Sequence, residues 1–206
     1  MRMENQTYHV KQVVIDPGAL GLFGLAMVTL DASSQKLGLT TGIAGVLPWA
    51  IFLGAFAQLL AGAYDAKHNN VFGATAFFAY GFFWLGIGST WLIANGVFGE
   101  ILQEMYDPRQ LGVAFIGYLV FTLIMTVGAL ETNKVLFIIF SLIDLLFIGL
   151  ALSAFGVAEH ATHMLAAFAE LGIAIVSFYG VAANVLNKHI GREVVPVGKP
   201  FGILKK

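Results

Sequence analysis

The sequence contains no cysteine, few charged residues and almost no net charge. The absence of Cys excludes disulfides, thiolate catalysis and Cys-ligated metals. Charged residues make up 11% of the 206 residues, against about 25% in an ordinary soluble domain. The formal net charge of −1 gives no reason to expect nucleic acid or a strongly charged partner. These shortages argue against a soluble protein.

Apolar residues are correspondingly abundant. They make up 58% of the chain, and the mean hydropathy is +0.83. A helix needs about 20 apolar residues to cross a bilayer, so long segments without Lys or Arg are candidate transmembrane helices. They predict an all-α integral membrane protein with six transmembrane helices, near residues 18–33, 42–63, 72–94, 111–130, 135–154 and 164–186. The first is short and contains Asp31, so we expect it to be tilted or partly buried in protein.

The distribution of basic residues predicts the orientation. Nine of the 11 Lys and Arg residues fall on the two tails and on the second and fourth loops, while Lys36 and Arg109 fall on the other side. The positive-inside rule then places both termini in the cytoplasm. We expect a cytoplasmic tail over residues 1–15, a transmembrane domain over 16–187 and a second cytoplasmic tail over 188–206. The predicted location is the inner or plasma membrane of the cell, with membrane lipid around the helices.

Polar side chains inside the spans are candidates for a solute path. Gln58 has Gly54 and Gly62 four residues to either side, hence on the same helix face. Its amide either lines a pore or bonds a neighbouring helix. Other polar residues more often bond their own helix: Thr75, Ser89, Ser141, Ser177 and Asn184. Since the predicted spans contain no Lys or Arg, a carboxylate crossing here would be held by amides, hydroxyls and helix ends, or neutralised by a proton.

Two acidic residues fall inside predicted spans. A charged side chain at the bilayer centre costs at least about 2.5–3.5 kcal/mol, so neither Asp144 nor Glu170 should face lipid. Each is either a protonated or hydrogen-bonded packing residue or part of a proton relay. A different class of function, a membrane-embedded enzyme, would use the two as a carboxylate pair. That enzyme would lack a recognisable nucleophile and cofactor motif, and a third possibility is a scaffold organised by glycine interfaces.

One helix start and one histidine pair also have spacings with chemical meaning. Asp16 and Pro17 are favoured at a helix N-terminus, and the following N–H groups of Gly18 and Ala19 would attract an anion. His160 and His163, with Glu159, have a spacing that can hold a metal on one helical turn. Without a further ligand, a solvated loop is the favoured interpretation. We therefore expect no metal and no cofactor.

Three motifs resemble one family of membrane proteins. They are Asp-Pro-Gly-Ala-Leu-Gly-Leu at residues 16–22, Phe-Gly-Ala-Thr-Ala-Phe with Tyr80-Gly81 and Phe83-Trp84 from residue 72, and Gly191-Arg192 with Val195-Pro196-Val197-Gly198. In that order they are similar to the motifs of the acetate uptake transporter, or succinate-acetate permease, family. Asp16 stands where the family has Asn, and Ala19 replaces its second Pro. Phe78, Ala79 and Phe82 stand where relatives carry small hydroxyl residues.

The resemblance implies the rest of the expected site. It implies six helices per subunit around a central pore, a homo-hexamer, and passage of small carboxylates such as acetate and succinate as a channel or a proton symporter, not an enzyme. Position by position, Tyr80 and Leu142 match the narrow waist of the pore, and Leu25 falls where relatives carry an aromatic residue. The wider expected pathway and relay comprise Asp16, Gly18, Ala19, Gln58, Thr75, Ser141, Asn184, Asp144 and Glu170.

Overall fold

The structure is a computed structural model that describes residues 15–204. Within that range the chain is helical and contains no strand. Five helices are long and apolar enough to cross a membrane, which confirms the prediction of an all-α multi-pass membrane protein. The helices are α1 (Gly18–Lys36), α2 (Val46–Lys67), α3 (Val71–Ala94), α4 (Glu100–Glu104), α5 (Pro108–Ala129), α6 (Lys134–Ala154) and α7 (Glu159–Ile190). The five apolar helices are α2, α3, α5, α6 and α7; α1 as a sixth span stays a prediction.

Several helices extend beyond the apolar segments that predicted them. Helix α1 continues to Lys36, and α7 begins at Glu159. Hydropathy marks only the part of a helix that suits hydrocarbon, whereas the backbone hydrogen bonds continue into polar sequence. Side-chain caps set other starts: Asn70 accepts from the N–H of Gly73 before α3, and Asn133 accepts from an N–H in the first turn of α6. Most of the predicted N-terminal tail lies outside the described residues.

The six long helices form a closed ring in chain order. Helix α1 packs on both α2 and α7, α2 packs on α3, and α5, α6 and α7 pack in sequence. Between α3 and α5 the ring is closed by side chains: the Tyr80 hydroxyl and the Thr122 hydroxyl are 2.8 Å apart, and the Tyr118 hydroxyl donates to the carbonyl of Ala79 at 3.0 Å. The connections are short, so neighbouring helices run antiparallel. The ring therefore has a central axis with three helix N-termini at each end.

One part of the wall contains a π-helical stretch. Residues Ala50–Ala57 of α2 are π-helical, so their hydrogen bonds reach back five residues instead of four. A Cβ added at Gly24 of α1 would collide with the carbonyl oxygen of Leu53 in this stretch. The missing side chain lets the two backbones touch, as small residues do between membrane helices.

The segment after α7 folds back over one end of the ring. Gly191 ends α7 with a φ of 75°, and the side chain of Asn187 accepts from the N–H of Val194 at 2.7 Å and of Val195 at 2.9 Å. Further on, the N–H of Phe201 donates to the carbonyl of Leu130 at 2.8 Å. The Gly191 to Gly198 motif thus positions this segment on the turn between α5 and α6.

Candidate functional site

A cavity of about 290 Å³ opens at one end of the ring. It lies among the N-terminal ends of α1, α3 and α6 and the C-terminal ends of α2, α5 and α7. Its walls follow single helix faces, such as Gly73, Ala76 and Tyr80 on α3. We call it the Asp16 cavity. Its lining residues are Asp16, Gly18, Leu22, Leu25, Gln58, Asp65, Asn70, Phe72, Gly73, Ala76, Phe77, Tyr80, Thr132, Asn133, Val135, Leu136, Ile139, Phe140, Ile143, Gly180, Asn184 and Val197.

The polar groups of the Asp16 cavity lie mostly near its mouth. The carboxyl of Asp16 accepts from the N–H of Gly18 at 2.8 Å and pairs with Lys188 at the end of α7. Partial burial raises the pKa of Asp16, but the hydrogen bonds from Lys188 and Gly18 outweigh it and hold that pKa below its usual value. Asp65, 6% exposed, accepts from the amide of Asn70 at 3.0 Å. The mouth therefore offers a cation and amides next to two carboxylates.

Gln58 is the buried polar residue deeper in the Asp16 cavity. It is 1% exposed, and its amide nitrogen donates to the carbonyl of Gly54 at 2.8 Å. The side chain therefore lines the cavity and bonds its own helix, not a neighbouring one. Gly54 itself packs on the ring of Trp84 and does not form the cavity wall.

A second cavity of about 250 Å³ lies at the opposite end of the ring. We call it the Lys36 cavity, after the last residue of α1. It contains the Lys36 ammonium and the Glu170 carboxylate, 2.8 Å apart. Most of the remaining wall is aromatic or aliphatic. The lining residues are Lys36, Phe83, Trp84, Ile87, Trp91, Leu111, Phe115, Leu146, Leu150, Ser153, Ala154, His163 and Glu170.

A thin aromatic layer separates the two cavities. On α3 the Asp16 cavity ends at Tyr80 and the Lys36 cavity begins at Phe83; on α6 the corresponding residues are Ile143 and Leu146. Three residues along a helix span about 4.5 Å. Phe147, 1% exposed, lines neither cavity, and its ring lies 5.3 Å from that of Phe83. The same helix faces thus line both cavities, with one packed layer in between.

The structure places only some of the expected waist at this layer. Tyr80, 5% exposed, and Leu25, 8% exposed, line the deep end of the Asp16 cavity. Leu142 does not line it; its side chain lies against Gly172 of α7, and Phe140 and Ile143 occupy the cavity wall on α6. A waist built from Tyr80, Leu25 and Leu142 stays a prediction, with two of the three residues beside the layer.

The expected pathway residues divide in the same way. Asp16, Gly18, Gln58 and Asn184 line the Asp16 cavity, whereas Ala19, Thr75 and Ser141 do not. Thr75 is exposed on the outer face of α3. The Ser141 hydroxyl donates to the carbonyl of Phe137 at 2.8 Å, as hydroxyls in membrane helices commonly do. Asp65 and Asn70 were missed because they fall in a polar stretch interpreted as a loop, although Asn70 directly precedes α3.

The two acids inside the helices have separate surroundings. Thr126 of α5 donates to Oδ2 of Asp144 at 2.7 Å, and Asp144 lines neither cavity. Glu170 pairs with Lys36 in the Lys36 cavity. The carboxylate pair that a membrane enzyme would need is therefore not assembled in this arrangement.

Lys36 corrects one expectation. The sequence placed Lys36 in a loop, so that a carboxylate crossing the spans would be held by amides, hydroxyls and helix ends or neutralised by a proton. Instead α1 continues to Lys36, and its side chain, 14% exposed, enters a cavity inside the ring. His163 also points here, and its Nε2–H donates to the carbonyl of Lys36 at 3.3 Å. Among residues 15–204 no group of three or more metal-ligating side chains occurs.

The aromatic residues of α3 are divided between the two cavities and the outer face of the ring. Phe72 and Phe77 line the Asp16 cavity, while Phe83, Trp84 and Trp91 line the Lys36 cavity. Phe82, 59% exposed, faces outward. Sequence alone did not separate these faces because α3 is apolar on all sides.

These features define a multi-pass membrane protein with solute-sized cavities at both ends of one helix ring. The chain belongs to the GPR1/FUN34/yaaH family, whose model matches residues 2–199. This confirms the resemblance inferred from the three motifs.

Named relatives are similar along nearly the whole chain. The succinate-acetate/proton symporter SatP of Escherichia coli strain K12 is 33% identical over 184 residues, covering 89% of this chain and 95% of SatP. Acetate permease A of Emericella nidulans is 30% identical over 140 residues, covering 65% of this chain and 47% of the permease. A solved structure described as the bacterial acetate channel SatP superimposes with a TM-score of 0.84 at 32% identity, covering 90% of this chain and 100% of that one.

Proposed function

We propose that this protein transports small carboxylates, acetate first among them, through a pore inside its own helix ring. The observation that carries the proposal is the pair of coaxial cavities with one thin aromatic layer between them. Because six helices close the ring, its central axis is the continuous route for a solute between apolar walls. The names of the relatives, a succinate-acetate symporter and an acetate permease, support the same class of substrate.

The composition of the cavities supports a small solute with one charge. Lys36 lines one cavity, and Lys188 pairs with Asp16 at the mouth of the other. The carboxylates of Asp16 and Glu170 pair with these ammonium groups, and Asp65 accepts from a side-chain amide. Most of the other surface consists of amides, aromatic rings and aliphatic groups, which hold an ion weakly enough to let it leave. Acetate fits this description with its single carboxylate and short apolar tail. Succinate is a second candidate, and its second carboxylate would be carried most easily in protonated form.

The proposed roles follow the positions of the residues. Tyr80 and Leu25 form the constriction, with Leu142 retained as a candidate behind it on α6. Asp16, Gly18, Gln58 and Asn184 form the pathway at the Asp16 end, and Ala19, Thr75 and Ser141 support the helices that carry it. Asp144 and Glu170 are the candidate proton carriers, because both are acids buried well inside long helices, whereas the buried Asp65 lies near the end of α2.

The proposed arrangement in the membrane places the Asp16 cavity toward the cytoplasm. The basic residues near that end, including Lys67, Lys134 and Lys188, favour this orientation. It places both termini in the cytoplasm, with six spans in the cell's inner or plasma membrane. We also propose a hexamer assembled through apolar outer faces: helix α5 exposes Val113, Ile116, Val120, Ile124 and Val127, and a Cβ at Gly117 on the same helix would meet open space.

Flux into liposomes tests the proposal. Purified protein reconstituted alone should accelerate uptake of labelled acetate, and unlabelled acetate should compete. Empty liposomes and liposomes with an unrelated membrane protein are the controls. A membrane potential separates the two mechanisms: an inside-positive potential, set by a K⁺ gradient with valinomycin, should drive acetate in through an anion channel, whereas joint entry of one anion and one proton moves no net charge and should not respond to it. Uptake no faster than in the controls would refute transport and favour a scaffold.

A further inference from the structure

The Lys36 and Glu170 side chains form a buried ion pair between α1 and α7. Their side chains are 14% and 3% exposed, and the ammonium nitrogen lies 2.8 Å from Oε2 of Glu170. Both residues line the Lys36 cavity, where aromatic rings form much of the remaining wall. The pair is therefore a charged feature facing an otherwise apolar chamber inside the helix ring.

Stability alone is a weak reason for such a pair. Removing two charges from water costs several kcal/mol per ion, and apolar replacements of buried pairs are often neutral or stabilising. Here the ion pair lies at a cavity and not in a sealed core. A Lys ammonium has three donors, and among the described residues Glu170 is the side chain that accepts from Lys36. The ammonium thus retains donors for a ligand in the chamber.

We propose that Lys36 is the carboxylate-binding residue of the Lys36 cavity, and that Glu170 gives up the ammonium to the incoming carboxylate by taking up a proton. The inference rests on the proposed transport function and assigns its binding and proton-coupling residues. Before entry the site contains one ammonium and one carboxylate. Afterwards it contains the ammonium, the substrate carboxylate and a neutral Glu170, so one anion and one proton enter together and the net charge is unchanged.

The surroundings of Glu170 fit this exchange. The charged group facing it from α1 is Lys36, and the titratable neighbour on its own helix is His163. The faces of α3, α5 and α6 that line the cavity contribute aromatic and aliphatic side chains with Ser153, and no titratable group among the described residues. The Nε2–H of His163 donates to the backbone carbonyl of Lys36, whereas Glu170 bonds the Lys36 ammonium itself. Glu170 is the group positioned to exchange a proton with the cavity.

The shape of the chamber selects the ligand class. One ammonium provides a partner for one carboxylate, and the rings of Phe83, Trp84 and Trp91 provide an apolar surface for a short tail. The volume of about 250 Å³ suits a small organic acid. The proposed ligand is therefore a small monocarboxylate, for which acetate is the probe.

The test compares the KM for acetate among reconstituted variants as the pH on the Lys36 side is changed within a range where acetate stays ionised. For the unmodified protein, KM should fall as pH falls. Glu170→Gln releases the ammonium without a proton, so its KM should be low and independent of pH. The double variant Lys36→Gln with Glu170→Gln should have a KM about tenfold above that of Glu170→Gln, which is the effect of one charge-assisted hydrogen bond. Its KM should also be independent of pH.

Two controls separate this site from general charge effects. Arg109→Gln removes the other basic residue at the same end of the ring, where it is exposed and paired with Asp107, and should leave KM unchanged. His163→Gln removes the group that ordinarily titrates nearest neutrality and should retain the pH dependence. Loss of that dependence in His163→Gln would overturn the role of Glu170.

The outcomes distinguish this inference from the function on which it rests. If the unmodified protein moves no acetate, the proposed function fails. If it transports acetate but the double variant keeps both KM and its pH dependence, the ion pair is structural and the inference is wrong. Should Glu170→Gln fail to assemble, the double variant still decides, because it leaves no buried charge unpaired.

Discussion

The Asp16 cavity and the Lys36 cavity lie at opposite ends of the same helix ring, yet their charges have different surroundings. Asp16 and Lys188 pair at a wide mouth, where their side chains are 50% and 52% exposed. Lys36 and Glu170 pair at 14% and 3% exposure. Water and salt screen the first pair, whereas the second interacts in a medium of lower effective dielectric.

This difference suggests a division of labour along one path. A screened pair at a polar mouth attracts and releases ions with little energetic consequence. A buried pair changes its protonation or its partner only at a large energetic cost. It is therefore suited to coupling carboxylate binding to proton uptake. In the proposed function, the aromatic layer between the cavities selects which solutes pass from one to the other.

Substitution of Tyr80 should have the largest effect, because its ring stands at the boundary of the two cavities. Tyr80→Ala should raise the flux of a bulkier monocarboxylate relative to acetate by about tenfold or more, since one methylene of fit is already worth about tenfold. Parallel uptake of labelled acetate and a longer acid measures the ratio.

Tyr80→Phe is the matched control for that experiment. It keeps the ring and loses the hydrogen bond with Thr122, so the flux ratio should stay near that of the unmodified protein. An aromatic-to-alanine change in a core costs about 3–5 kcal/mol, so assembly of the Ala variant is checked by size-exclusion chromatography. An unchanged ratio in an assembled Ala variant would remove Tyr80 from the constriction.

Gly24 tests the close contact between α1 and α2 in the helix ring. Gly24→Ala places a methyl group against the carbonyl of Leu53 and should destabilise the protein by about 1–3 kcal/mol. Gly86→Ala adds the same methyl group where a Cβ meets open space within the subunit, and should be neutral or stabilise by up to about 1 kcal/mol. Thermal unfolding in detergent compares them. Equal Tm values for the two variants would contradict the close approach of α1 and α2.

Asp144 sharpens the assignment of the proton. Asp144→Asn keeps an oxygen that can accept from Thr126, so we expect a stability change of about 1 kcal/mol or less. Because Asp144 lines neither cavity, the pH dependence of the acetate KM should persist. If acid no longer lowers KM in this variant, the proton carrier is Asp144 and not Glu170.

Asp16 should give the smallest effect. Its lowered pKa means that the pairing stabilises the protein above the ordinary Asp pKa of about 3.9, and that this contribution is lost as pH falls through the lowered value. Asp16→Asn should therefore cost at most about 1 kcal/mol at neutral pH and nothing in strong acid. Tm measured against pH checks this, and a constant difference at every pH would contradict it.

The sequence predicts the helices better than it predicts the site. Five spans follow from apolar segments. The pairing of Lys36 with Glu170 could not be derived in the same way, because hydropathy ended the first helix before Lys36. An unpaired acid in the last span was the available signal, and it required knowing that α1 packs on α7.

The faces of α3 and α6 were equally hard to derive. Both helices are apolar on nearly all sides, so periodicity does not distinguish lipid from cavity. Periodicity therefore could not assign Phe83 and Trp84 to a cavity wall, and Ile143 lines the Asp16 cavity where the resemblance pointed to Leu142. Only the ring order and the register of the helices separate these positions.

We propose that the two cavities are the two ends of one path closed by a single layer. The accessibility of introduced cysteines tests this arrangement. The sequence has no Cys, so Ala76→Cys in the Asp16 cavity and Ile87→Cys in the Lys36 cavity give single reporters, with Phe82→Cys on the outer face as control. A charged, membrane-impermeant thiol reagent should modify position 76 only from the cytoplasmic side and position 87 only from the opposite side, and each modification should block acetate uptake. Labelling of both positions from the same side, or labelling that leaves uptake intact, would contradict the account.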